Sequence, residues 1–291
     1  MINQHQGKLR LAAATGVFGL APGASDHIVD TLIEERAGRL LEHPWLWQSF
    51  RAVCNPLLQY HQAIALADEV APMAGRQVFE HVSRRLALRT EVRGLEHLPK
   101  SGFFFVAANH PTGIADGVAV YDAMQPVRPD LCFMANRDAI RVAPGLADMI
   151  IPVDWRKAFR STAKTRETLQ GLAGAVKAGR PVVVFPSGRL AYLRWHGLAE
   201  RPWLATTVTL ARKYRAPILP LRIQGRNSAL YYALAQISDE LRDITIFNEF
   251  LNKRGYRYRM TFGAPVQPES LPEDPEAAIT ALQRQVEQGA L

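Results

Sequence analysis

From residue 91 onward, short apolar runs alternate with stretches of helical length, and this alternation most tightly constrains the fold. The runs are Gly102 to Ala108, Leu131 to Ala135, Met149 to Val153, Pro181 to Pro186, Pro217 to Ile223 and Tyr256 to Phe262. Each is too short for a buried helix, and most are rich in β-branched or aromatic residues, as buried strands are. Residues 158–178 and 203–213 read as helices between strands, and residues 273–288 as a terminal helix. The order predicts an α/β fold, with a mostly parallel or mixed central sheet flanked by helices.

Residues 25–90 have a different texture. Ser25 and Asp26 offer a helix start, and Ile28, Leu32, Ile33 and Leu40 recur at roughly helical spacing. Pro44 opens a second segment that Pro56 should end or kink. A third runs from Gln62 to Leu88 with a break at Pro72 and Gly75. An N-terminal helical segment, 25–90, therefore precedes an α/β domain, 91–291. Trp45, Trp47 and Phe50 lie near basic residues, and the segment ends in Arg84, Arg85, Arg89 and Arg93. That pattern fits a membrane-docking element or packing against the next domain. Residues 1–24 contain an apolar stretch broken by three glycines and a proline, with no clear cleavage site after it. They read as a flexible tail and not as a signal peptide.

A chain of 291 residues can bury a core without disulfides or metals. Its two cysteines, Cys54 and Cys132, cannot form a disulfide framework or a four-cysteine zinc site. No stretch reaches the about 18 uninterrupted apolar residues of a spanning helix. Lys and Arg number 35 against 27 Asp and Glu, a net charge of +8. That excess favours an anionic partner: nucleic acid, anionic lipid or a phosphorylated small molecule. No basic helix interleaved with aromatics supports the nucleic-acid choice, so none is expected.

The familiar catalytic signatures are absent: no G-x-S-x-G elbow, Walker A loop, G-x-G-x-x-G or H-E-x-x-H. One constellation remains, Asn109-His110-Pro111-Thr112-Gly113-Ile114-Ala115-Asp116-Gly117, at the exit of an apolar strand. Pro111 disfavours helical geometry at His110 and suits the first turn of a following helix. Asp116 then lies close enough to reach back to the imidazole. A carboxylate on one ring nitrogen fixes the tautomer and leaves the other free to take a proton.

Three later segments join this one. Met149-Ile-Ile-Pro-Val-Asp-Trp-Arg-Lys leaves a strand with Arg156 and Lys157. Val184-Phe-Pro-Ser-Gly-Arg leaves another with Ser187, Gly188 and Arg189, and Ala216-Pro-Ile-Leu-Pro-Leu begins a third. In this order, over residues 90–266, the four resemble the blocks of the phospholipid/glycerol acyltransferase superfamily, whose best-known members are the 1-acyl-glycerol-3-phosphate acyltransferases. Three departures stand out. The His-to-Asp spacing is H-x5-D, one residue longer than usual; Ser187 stands where the family has Glu; Trp155 is inserted between Asp154 and Arg156. The longer first block, with Gly225-Arg-Asn-Ser and Phe250-Leu-Asn-Lys-Arg-Gly, resembles the hemolysin-type and ornithine-lipid branch.

The resemblance implies an O-acyltransferase without a bound cofactor, with acyl-CoA or acyl carrier protein as co-substrate. His110 takes the acceptor hydroxyl's proton and Asp116 supports it. Backbone amides near Gly188 serve the oxyanion, Ser187 shapes the turn, and Arg189, Arg156 and Arg137 hold an anionic head group. The acceptor is a lysophospholipid, lysophosphatidate first, and the alternative is a non-phosphate lyso-lipid such as lyso-ornithine lipid. The rivals are a thioesterase or esterase using the same His, and an idle family member. The expected place is the cytoplasmic face of the membrane, peripheral, against anionic lipids.

Overall fold

The computed structural model describes residues 27–154, 161–195 and 197–289; the predicted tail, 1–24, and Arg156 lie outside them. Four helices open the chain: α1 (Ile28–Ala37), α2 (Pro44–Leu57), α3 (Tyr60–Val70) and α4 (Gly75–Leu86). Pro44 stands at the N-terminus of α2, where its missing N–H costs nothing, and the helix stops one residue after Pro56. Then follow β1 (Arg89–Arg93), β2 (Phe105–Ala108), α5 (Ile114–Met124), β3 (Cys132–Asn136), α6 (Asp138–Val142) and β4 (Ile150–Val153). Next come α7 (Thr162–Lys177), β5 (Val182–Val184), a hairpin of β6 (Tyr192–Arg194) and β7 (Gly197–Ala199), α8 (Thr206–Tyr214) and β8 (Ile218–Gln224). The chain closes with α9 (Ala229–Ile237), α10 (Asp239–Ile244), α11 (Ile246–Leu251), β9 (Arg257–Phe262) and α12 (Pro275–Gln288).

Seven strands form one sheet in the order β1-β9-β8-β2-β5-β3-β4. β8, β2, β5, β3 and β4 run parallel, and β9 pairs antiparallel with β8 and parallel with β1. The six apolar runs are all strands, and the sheet is mixed. Period-2 alternation sorts the side chains of the central strand. Phe104, Val106 and Ala108 join the core on one face, Phe105 and Ala107 the core on the other. The first core also takes Ala119 of α5 and Leu66, Val70, Val78 and Val82 of α3 and α4; the second takes Leu172 of α7, Val208 of α8 and Leu282 of α12.

The aromatic cluster of α2 is divided. Trp47 is 8% exposed, stacks on Phe50 at 5.8 Å and packs with Ala37 and Ile244, so this ring belongs to a small core and not to a surface. Trp45 is exposed. Among the described residues no helix is long and apolar enough to cross a membrane.

The turn between α3 and α4 meets the 3-10 turn Pro144–Asp148 backbone to backbone. A Cβ on Gly145 would lie 2.1 Å from the Met73 carbonyl oxygen, and one on Gly75 2.7 Å from the Gly145 carbonyl oxygen. Only glycine permits that approach. Gly145→Ala should therefore lower the free energy of unfolding by about 1–3 kcal/mol, read from urea denaturation; an unchanged midpoint would contradict this contact.

Candidate active site

β2 and β5 are neighbours whose chains leave in opposite directions. β2 continues through α5, on one face, to β3; β5 continues through α8, on the other face, to β8. The crevice outside their carboxyl ends is a topological switch point, where parallel sheets place ligands. It receives Asn109-His110 from β2 and Pro186 to Arg189 from β5. Asn109 extends the sheet with its side chain: its Nδ2 donates to the Ile223 carbonyl at 2.8 Å, and its Oδ1 accepts from the Ile223 N–H at 2.6 Å.

His110 Nδ1 lies 2.9 Å from Asp116 Oδ2. Asp116 is fully buried, in the first turn of α5. It also accepts the N–H groups of Thr112 and Gly113, each at 2.9 Å, and the Thr112 hydroxyl at 2.5 Å. A carboxylate only accepts, so Nδ1 carries the proton and Nε2 keeps its lone pair. The Thr112 hydroxyl spends its proton on Asp116, so the buried Tyr258 hydroxyl donates to it at 2.6 Å. Burial and the Asp116 charge hold the Tyr258 phenol well above its ordinary range. Pro111 is not in the helix: α5 starts at Ile114, behind Gly113 at φ 98°. Pro111 to Gly113 instead form the turn that brings three N–H donors onto one carboxylate oxygen.

The imidazole stacks on Phe185 at 4.1 Å, with 22° between the rings. Its own peptide unit is held from the β6–β7 hairpin. The His110 N–H donates to Glu200 Oε1 at 2.8 Å, and the His110 carbonyl accepts from the Ala191 N–H at 2.9 Å. Glu200 Oε2 is buried without a hydrogen-bond partner among the described residues, and the carboxyl lies beside Ser187. Burial pushes this carboxyl up to about 7, against the opposing pull of the His110 amide and ring.

Ser187 is buried, and its hydroxyl donates to the Arg189 carbonyl at 2.7 Å, closing the turn. Gly188 lines the crevice at φ 61°, but its N–H is committed to the Phe185 carbonyl at 2.9 Å. The N–H groups of Arg189 and Leu190, which follow it, make no hydrogen bond among the described residues. The Arg189 side chain is exposed and makes no ion pair among the described residues. Arg137 is engaged elsewhere: its guanidinium forks onto Glu167 at 3.0 and 2.7 Å and lies 3.7 Å from Asp154. The expected head-group role for Arg137 is not supported by this geometry.

A cavity of about 360 Å³ opens at His110. Ile114, Phe185, Gly188 and Leu190 line it beside the imidazole, and Leu66, Val70, Val78 and Val82 of α3 and α4 line it further round, with Phe247 and Phe250 of α11. The wall is overwhelmingly apolar. A proton acceptor with a fixed tautomer thus stands in the wall of a space shaped for a hydrocarbon.

Glu200, Tyr258 and Thr112 were not singled out from the sequence. Glu200 is 90 positions from the histidine it holds, and no spacing rule links them. Thr112 lay inside the first block, and its hydroxyl at a turn next to a carboxylate was the one available signal.

Residues 89–224 match the family described as Acyltransferase. A lyso-glycine lipid O-acyltransferase of Phocaeicola vulgatus is 26% identical over 188 residues, 62% of this chain and 65% of that protein, so the match spans just under two thirds of its length. A protein of the same description from Bacteroides thetaiotaomicron is 27% identical over 211 residues, 68% of this chain and 74% of that one. Among solved structures, the 1-acyl-sn-glycerophosphate acyltransferase PlsC of Thermotoga maritima aligns with a TM-score of 0.44 at 17% identity, over 91% of this chain and 97% of that one. Over residues 89–224, a little under half of the chain, and in the four sequence blocks, the chain is similar to the phospholipid/glycerol acyltransferase superfamily.

Proposed function

We propose that the protein transfers a fatty acyl group from a thioester, acyl-CoA or acyl carrier protein, to the hydroxyl of a lyso-lipid. The observation that carries this reading is the His110–Asp116 pair in the wall of an apolar cavity. His110 Nε2 takes the hydroxyl proton as the oxygen attacks the thioester carbonyl. The charge that gathers on the carbonyl oxygen is met by the Arg189 and Leu190 amides. Collapse of the adduct expels the thiolate, which takes the proton back from the imidazolium. The products are one ester and one free thiol. No protein nucleophile is used: Cys132 is buried, and its thiol is pushed up to about 11 by burial.

The acyl chain occupies the cavity, and the acceptor head group lies on the open side, by Arg189. A guanidinium pairs equally with a phosphate or a carboxylate. We read the acceptor as an amino-acid lyso-lipid, ahead of lysophosphatidate, because both relatives carry that description. The test is a purified-enzyme assay with long-chain acyl-CoA and acyl carrier protein, offered lyso-glycine lipid, lyso-ornithine lipid and lysophosphatidate in turn. The expected result is thiol release matched by lipid ester, greatest with an amino-acid lyso-lipid. Release of free fatty acid without esterification would point to a thioesterase and overturn the reading.

Chain-length choice follows from the same cavity. Val78→Trp fills part of the wall, so kcat/KM for a hexadecanoyl donor should fall about tenfold or more relative to an octanoyl donor. An unchanged ratio would mean that the chain lies elsewhere.

A further inference from the structure

The β6–β7 hairpin stands out on the surface. Leu193 pairs with Leu198 across it, and residues directly opposite share a face. These two are 45% and 38% exposed, and Trp195 at the tip is 97% exposed. On the other face, Tyr192 lies between two guanidinium groups, Arg194 at 5.1 Å and Arg201 at 4.9 Å from its ring centre. The hairpin is therefore amphipathic, apolar on one side and cationic on the other. Its base sits at the cavity mouth, where Leu190 touches Gly113, and Ile114 beside it is also exposed.

We propose that this hairpin seats the protein on an anionic lipid surface. Leu193, Trp195 and Leu198 enter the interface, and Arg189, Arg194 and Arg201 meet the head groups. A large aromatic and two leucines in water are unfavourable unless an apolar phase receives them. The choice of a lipid surface rests on the acyl-transfer reading and on charge: Arg194 and Arg201 lie about Tyr192 on the same hairpin, and the whole chain carries +8. The hairpin is also tied to His110. Its two ends, Ala191 and Glu200, hold the carbonyl and the N–H of His110. Seating it sets the imidazole at a fixed depth beside the plane from which a lyso-lipid hydroxyl arrives.

The test is co-sedimentation of the full chain with vesicles of phosphatidylcholine, and of equal parts phosphatidylcholine and phosphatidylglycerol, at low and high salt. Wild type should prefer the anionic vesicles and lose part of its binding at high salt. The Leu193→Ser, Trp195→Ala variant should partition about tenfold more weakly or worse, with its thermal unfolding unchanged. Trp45→Ala, removing an exposed ring on α2, should bind as wild type does. Equal binding by the hairpin variant, or loss of binding in Trp45→Ala alone, would overturn the proposal, as would a dimer that the hairpin variant abolishes in a protein that ignores vesicles. Thiol release is measured on the same samples. Hairpin-dependent vesicle binding by a protein that esterifies nothing would sink acyl transfer and leave the docking surface standing.

Discussion

His110→Ala should lower acyl transfer by about 100-fold or more and leave the fold intact. The imidazole lies in a cavity wall, and its anchoring contacts run through its peptide unit, which alanine keeps. What is lost is the proton acceptor, its stacking on Phe185 and one of the hydrogen bonds to Asp116, which keeps those from Thr112 and Gly113. Asp116→Asn should also cost turnover, by about 10- to 100-fold, for a different reason. Asp116 accepts four hydrogen bonds from four donors. An amide offers one acceptor oxygen and turns an N–H₂ toward groups that themselves donate, so the ring loses its set tautomer. Single-turnover rates with saturating acyl-CoA measure both. Near-normal rates in folded His110→Ala protein would remove His110 as the base.

The second large effect is on stability and depends on pH. Burial raises Glu200 from an ordinary glutamate's 4.5 to about 7. Between those values the folded protein holds a proton that the unfolded chain has released. The stability due to the neutral carboxyl is fully present below 4.5 and is lost as pH rises through about 7. The gap corresponds to about 3 kcal/mol. Gln keeps the Oε1 acceptor for the His110 N–H and cannot ionise. Urea unfolding at about pH 5 and about pH 8 should show wild type losing about 2.5 kcal/mol relative to Glu200→Gln. Parallel pH profiles for the two proteins would show that the carboxyl ionises freely.

The parts that were legible from sequence are those where local chemistry and tertiary position agree. The run from Gly102 to Ala108 is apolar because it lies mid-sheet with both faces covered, and its exit carries the Asn-His pair for the same reason. β1 escaped notice because it is an edge strand, Arg-Thr-Glu-Val-Arg, whose charges guard an open edge and erase the apolar signal. Residues 229–251 form three short helices that carried no single long period. Trp47 misled because an aromatic among basic residues is the same pattern at an interface or in a core. Arg51 lies over that ring at 5.9 Å while it bonds the buried Asp30, and this tertiary pairing decides between the two. Glu200 was beyond reach, since its place depends on the length of a hairpin.

The cavity has a divided origin. Its end at His110 is built from residues within 89–224, the stretch that matches the family, whereas Leu66, Val70, Val78, Val82, Phe247 and Phe250 lie outside it. Heredity can therefore act on the two ends separately. Relatives that keep the reaction centre are free to diverge in the enclosing helices, and a chimera that exchanges those helices would carry one parent's taste in hydrocarbon on the other's chemistry.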